Sequence, residues 1–216
     1  MRPETRHTIL QTLIESHGSR LLPLVGIDIP LDQLRAAQQP TEPIEPYHLW
    51  TLSDRLLTLA VETDLAHDTV WRLLHYQARI RLRADLRDRR LIQHVLLLGD
   101  DQPTPPAFGE PDGKVTVIDH DDALFQFRLH PVRDLDPEVL LADPATSVFA
   151  PLGRVSERQR LPLVRWVAER IAASDEPAGT RRRLLTALAA VSTLLFDVET
   201  VGGILLEVAS PLALSE

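Results

Sequence analysis

The stretch from Leu56 to Tyr76, LLTLAVETDLAHDTVWRLLHY, restricts the fold more than any other part of the chain. Leu57, Leu59 and Val61 alternate with Thr58, Ala60 and Glu62, a period of two that predicts a strand. The apolar set then lies on one face, with Glu62 and Asp64 together on the other. Two acids sharing a strand face require a cation, a hydrogen-bonding partner or water. Val70, Leu73, Leu74 and Ile80 follow at helical spacing, which predicts a helix through about Leu86, capped by Asp64 or Asp68. A strand that passes directly into an amphipathic helix calls for a sheet with helices packed on it.

The flanking segments extend this pattern. Ile9, Leu10, Leu13 and Ile14 predict a helix over Glu4 to His17 that ends at Gly18. QQPTEPIEP reads as a surface connection. Tyr47 to Leu52 pairs with the following strand as a β-hairpin. A two-residue loop at Ser53 and Asp54 sets Glu45 opposite Glu62, and a three-residue loop brings His48 there instead. His94 to Leu98, Lys114 to Ile118 and Leu124 to Leu129 are three more strands, with the run Asp119 to Asp122 as a turn. Helices follow from Pro137 to Leu141, around Leu161 to Ile171 and around Leu184 to Leu195, the last two as an antiparallel pair. The apolar tail VGGILLEVASPLALSE docks on the body or on a second subunit. The fold class is therefore mixed α/β, divided into a core over residues 1–152 and a helical region over residues 153–216.

Composition narrows the chemistry. With no cysteine there is no disulfide, thiolate metal site or cysteine nucleophile, which fits a reducing, cytoplasmic setting. A net charge of -8 disfavours passive attraction to nucleic acid or to anionic membrane, so nucleic-acid binding would need a local basic patch. The N-terminal MRPETRHTIL has no apolar core of a signal peptide, and no run approaches the ~18 apolar residues of a membrane span. Walker, dinucleotide, GxSxG and HExxH motifs are missing, and His67 and His75 stand two helical turns apart. Trp50, Trp71 and Trp166 read as core or helix-packing residues.

One basic concentration exists: Arg72, Arg79, Arg81, Arg83, Arg87, Arg89 and Arg90 crowd the predicted helix and its exit. It is either a solvated helix face or a phosphate-binding face for DNA. Glu62 and Asp64 beside it suit a magnesium ion, which prefers one or two carboxylates together with waters and phosphate oxygens. The alternative is a solvated strand face and a helix cap.

The order of hairpin, strand ending in glutamate, helix, apolar strand and helical tail resembles the PD-(D/E)XK nuclease-like family of the recombination-promoting nuclease, or transposase-like, Rpn type. LAVET with Glu62, Arg72 and Tyr76 in RLLHY, and LIQHVLLLG carry the likeness, which extends loosely from the first helix to about Leu152. It implies a restriction-endonuclease-like mixed sheet flanked by helices, with a C-terminal helical region. It also implies magnesium-dependent cleavage of DNA. In such enzymes an aspartate opening one strand and a glutamate on the next hold magnesium, while a lysine or glutamine two residues later positions water. Here Glu62 matches, Asp64 stands at the third position, and the aspartate position falls near His48, with Glu45 the nearest acid. Two expectations follow. The first is a bacterial-type endonuclease with Glu62 as principal ligand, Asp64 and Glu45 or His48 completing the metal site, Arg72 contacting phosphate or orienting the carboxylates, and Tyr76 one turn further along. The second is a catalytically inactive descendant that associates with proteins, including copies of itself through its C-terminal helices.

Overall fold

The computed structural model describes residues 1–29, 48–52, 55–64, 67–82, 89–99, 114–118 and 124–209. Two units separate by their internal contacts: Val25–Pro131 carries the sheet, and Met1–Leu24 with Val132–Glu216 is helical. The expected division at Leu152 grouped the first helix with the sheet. Instead α1 (Pro3–Leu21) packs with helices from the far end of the chain. Among the described residues no helix is long and apolar enough to cross a membrane.

The α/β unit holds a five-stranded sheet of β1 (His48–Thr51), β2 (Arg55–Glu62), β3 (Arg90–Leu97), β4 (Lys114–Ile118) and β5 (Leu124–Pro131). The strand order is β1-β2-β3-β5-β4. The three central strands run parallel, while each edge strand is antiparallel to its neighbour. The parallel neighbours β2 and β3 are joined through α2 (His67–Leu82), the connection a parallel pair requires.

The hairpin forms, and its register answers the question left open by the sequence. His48 pairs with Leu59 and Thr51 with Leu56, and the Leu52 amide donates to the Arg55 carbonyl at 2.8 Å. That spacing is the two-residue alternative, although Ser53, Asp54 and Glu45 lie outside the described residues.

The expected division of β2 into an apolar and a polar face does not hold. Every residue from Leu56 to Glu62 is buried, because a central strand is covered on both sides. Leu73, Tyr76 and Ile80 of α2 share a buried cluster with Leu56, Ala60, Val95 and Phe127. The face that carries Glu62 is thus the face under the helix.

In the helical unit α1 runs through Gly18 to Leu21, beyond the stop expected there. Burial of Leu10, Leu13, Ile14 and Leu21 outweighs the roughly 1 kcal/mol helical cost of a glycine. Among the described residues the left-handed glycine is Gly26, at φ 72°, in the sheet-bearing unit. Two short helices, α3 (Pro137–Leu140) and α4 (Pro144–Ser147), lead to α5 (Glu157–Ala172), α6 (Ala178–Ser192) and α7 (Val198–Ala209). Over residues 201–209 the apolar tail is helical and packs on α5 and α6 of its own chain, and the rest of it lies outside the described residues. Arg20 ties α1 into this unit: it donates to Asp143 at 2.9 Å and pairs with Glu176 at 2.7 Å. Asp143 also caps α4 by accepting from the Ala145 amide at 2.7 Å. Burial alone would lower the pKa of Arg20, but its bonds and charge interactions with Asp143 and Glu176 outweigh that and raise it.

Leu73 is fully buried at the centre of the α2 contact, so Leu73→Ala should destabilise the protein by about 2–5 kcal/mol. Urea unfolding measures this, with the exposed Arg79→Ala expected to stay within about 0.5 kcal/mol of the parent.

Candidate functional site

Three local facts position the candidate site. β2 ends at Glu62, the chain turns through Thr63 and Asp64, and α2 begins at His67. Asp64 consequently lies past the strand and does not share its face with Glu62, as the alternation had implied. The helix starts too late for Asp64 to be its cap, and Asp68 falls within its first turn.

Side chains from the strand end, the turn and the first two turns of α2 form a continuous polar chain. Arg72 Nη2 is 3.1 Å from Glu62 Oε2 and donates to Thr69 Oγ1, also at 3.1 Å. The Thr69 hydroxyl in turn donates to Asp64 Oδ1 at 3.3 Å. Glu62 is 3% exposed and Thr69 4%, whereas the Arg72 side chain is 45% exposed. A carboxylate withdrawn from water this far needs a counter-charge, and Arg72 reaches in from the solvent side to supply it. Thr69 is the member that sequence reading missed. Its spacing, five residues after Asp64 and three before Arg72, was the available signal, since helix neighbours three apart share a face.

Tyr76, one turn beyond Arg72, belongs to the apolar cluster and is 2% exposed; burial raises its phenol pKa. The β1 register pairs His48 with Leu59, whose place in the alternation is on the face opposite Glu62, so position 48 is not brought to Glu62. Glu45, the other expected metal ligand, lies outside the described residues. Among the described residues no group of three or more His, Asp or Glu side chains is arranged to hold a metal ion. As arranged, the Glu62 carboxylate meets a guanidinium and the Asp64 carboxylate a hydroxyl, both from the chain itself. Magnesium at Glu62 would have to compete with Arg72 for the same oxygen.

Compared with protein-family models, with curated proteins and with solved structures, the chain matches none.

The arginine concentration divides between two kinds of environment. Arg72 serves Glu62, Arg89 Nη1 donates to the Leu52 carbonyl at 2.7 Å, and Arg81 reaches the Arg89 carbonyl at 3.5 Å. These guanidinia fasten α2 and the start of β3 to the hairpin. Arg79 and Arg90 are exposed, and Arg83 and Arg87 lie outside the described residues. Trp50 is buried as expected. Trp71 is 42% exposed and Trp166 46%, which removes the core alternative for both and leaves the helix-packing one.

A second polar cluster lies on the opposite face of the sheet. His94 Nδ1 and His130 Nε2 are 3.0 Å apart, with the rings close to parallel. They stand diagonally on β3 and β5, with Arg128 directly across from His94. Burial, then the positive charges of His130 and Arg128, lowers the His94 pKa to about 3. Burial and Arg128 lower that of His130 to about 4. At neutral pH both rings are uncharged, one donating and the other accepting.

Both clusters predict stability effects. Arg72→Met leaves Glu62 buried beside an apolar side chain, and should cost about 1–3 kcal/mol, discounted for the solvent exposure of the guanidinium. Urea unfolding midpoints of the parent and the variant would record the loss. For the histidines, folded pKa values lie below the unfolded value near 6.5. The unfolded chain therefore takes up protons that the folded chain refuses. Stability contributed by the pair is present above about pH 6.5 and lost as pH falls toward 4. Between pH 7 and 5, the double substitution His94→Leu with His130→Leu should flatten the slope of stability against pH.

Proposed function

We propose that this protein is a descendant of a nuclease-like α/β fold that works by protein association and not by cleaving phosphodiesters. The observation that carries this reading is the Glu62–Arg72 pair: the one acid matching the nuclease pattern is 3% exposed and engaged by a guanidinium 3.1 Å away. The order of hairpin, helix and parallel strand supports the restriction-endonuclease-like, Rpn-type resemblance, while the altered positions at His48 and Asp64 support loss of the hydrolytic step. Association is supported by apolar side chains left on the helical unit, with Trp166 46%, Val198 53% and Leu206 71% exposed.

A second reading, magnesium-dependent cleavage of DNA, is favoured by one observation. Glu62 and the start of α2 lie at the carboxyl end of a parallel strand, where α/β proteins place ligands. In that reading Glu62 and Asp64 hold the ion and exposed Arg79 contacts phosphate.

Supercoiled plasmid incubated with the protein and magnesium or manganese separates them. The association reading expects no nicking above the background of Glu62→Ala. Metal-dependent nicking that disappears in Glu62→Ala would overturn it in favour of the endonuclease.

A further inference from the structure

The helical unit carries a groove of about 580 Å³ between α3 with its C-terminal neighbour Leu141 and the start of α5. Its volume is in the range of binding pockets, about 300–1,000 Å³. Leu141, Pro162, Leu163 and Trp166 supply its apolar lining, and Arg154 and Arg158 line it too, without an acidic residue. On a chain of net charge -8, this is a local reversal of sign.

Two details show that the groove is preorganised. Arg170 lies over the Trp166 ring, 5.4 Å from its centroid, and also donates to the Leu141 carbonyl, tying both walls together. Arg154 is held by donation to the Asp134 carbonyl at 2.8 Å. The groove thus combines apolar side chains and guanidinia.

We propose that this groove docks an acidic segment of a partner protein, whose apolar anchor rests on Trp166 and Pro162 and whose carboxylates meet Arg154 and Arg158. An extended peptide presents both complementary groups at once: an apolar side chain and flanking acids. Charge complementarity to Arg154 and Arg158 selects an acidic segment as the occupant. Two guanidinia among proline, leucine and tryptophan side chains are too few for a nucleic-acid backbone, which is held by many phosphate contacts. The inference rests on the association reading and adds to it the chemistry of the partner.

A set of short fluorescein-labelled peptides tests it, each with a leucine, phenylalanine, methionine or tryptophan anchor between pairs of glutamates. Each is matched by a peptide with lysines in place of the glutamates. In fluorescence polarisation, members of the acidic set should bind the full chain and the lysine set should not. Arg158→Glu combined with Arg154→Glu should weaken binding by about tenfold or more, Trp166→Ala likewise, and Arg182→Glu on α6 should leave it unchanged. The two charge reversals are at exposed positions, and circular dichroism checks that the fold persists. If no acidic probe binds, or if binding is indifferent to the two reversals, the inference fails while the absence of plasmid nicking still upholds the association reading. A dimer in sedimentation velocity that Trp166→Ala dissociates would assign the groove to a second copy and overturn the acidic partner. So would single-stranded DNA that displaces the probes. Plasmid nicking alongside specific acidic-peptide binding would overturn the functional reading and leave the groove assignment intact.

Discussion

A carboxylate enclosed at the end of a central strand has to find its counter-charge within the chain, and the α/β unit depends on that requirement. Glu62 is buried because β2 lies between two neighbours and beneath α2, and Arg72 is where it is because the helix follows the strand after a short turn. The apolar contact of Leu73, Tyr76 and Ile80 with β2 and β3 supplies most of the stabilisation. The ion pair adds less energy than it adds constraint. Only one rotational setting of α2 brings Leu73 onto the sheet and Arg72 onto Glu62 together, since adjacent helical residues are about 100° apart.

The helical unit uses charge in a comparable way at a different place. Arg20 gathers Asp143 and Glu176, and the same Asp143 oxygen that faces Arg20 caps the following short helix. One carboxylate thereby fixes a long helix and the start of a short one. The guanidinia near β3 do similar work on backbone carbonyls, as Arg89 does at Leu52. A composition with one lysine and many arginines suits such sites, because a planar guanidinium can hold two partners at fixed angles.

What could be read from sequence follows the range of the interactions involved. The β2 strand, α2, β4 and the long C-terminal helices were legible because each carries its own periodicity over several residues. The Glu62–Arg72 bond was foreseeable as a brace, being ten residues apart across a strand-helix turn. The two-sided burial of β2 was not, since it depends on β1 and β3 pairing with it, and alternation in isolation suggested a wet face. Gly18 misled because packing of α1 against distant helices overrides a local stop signal. Arg20 with Asp143, 123 residues apart, and His94 with His130 have no local signature at all. For Trp166 the sequence left core and helix packing open, and the partial cover comes from Arg170 one turn along the same helix, with much of the indole left to solvent.

The discontinuity of the helical unit has a consequence for how the protein is made. α1 is synthesised before the sheet, yet its partners α4 and α6 lie beyond residue 140, after the whole sheet has been translated. On a ribosome the α/β unit can assemble as a continuous insertion, while Leu10, Leu13 and Ile14 wait with their apolar side unmatched. Closing the helical unit then joins segments more than a hundred residues apart, a step of high contact order that comes late and slowly. Until those segments emerge the nascent chain carries an amphipathic helix whose packing partners do not yet exist, a surface that a chaperone can cover.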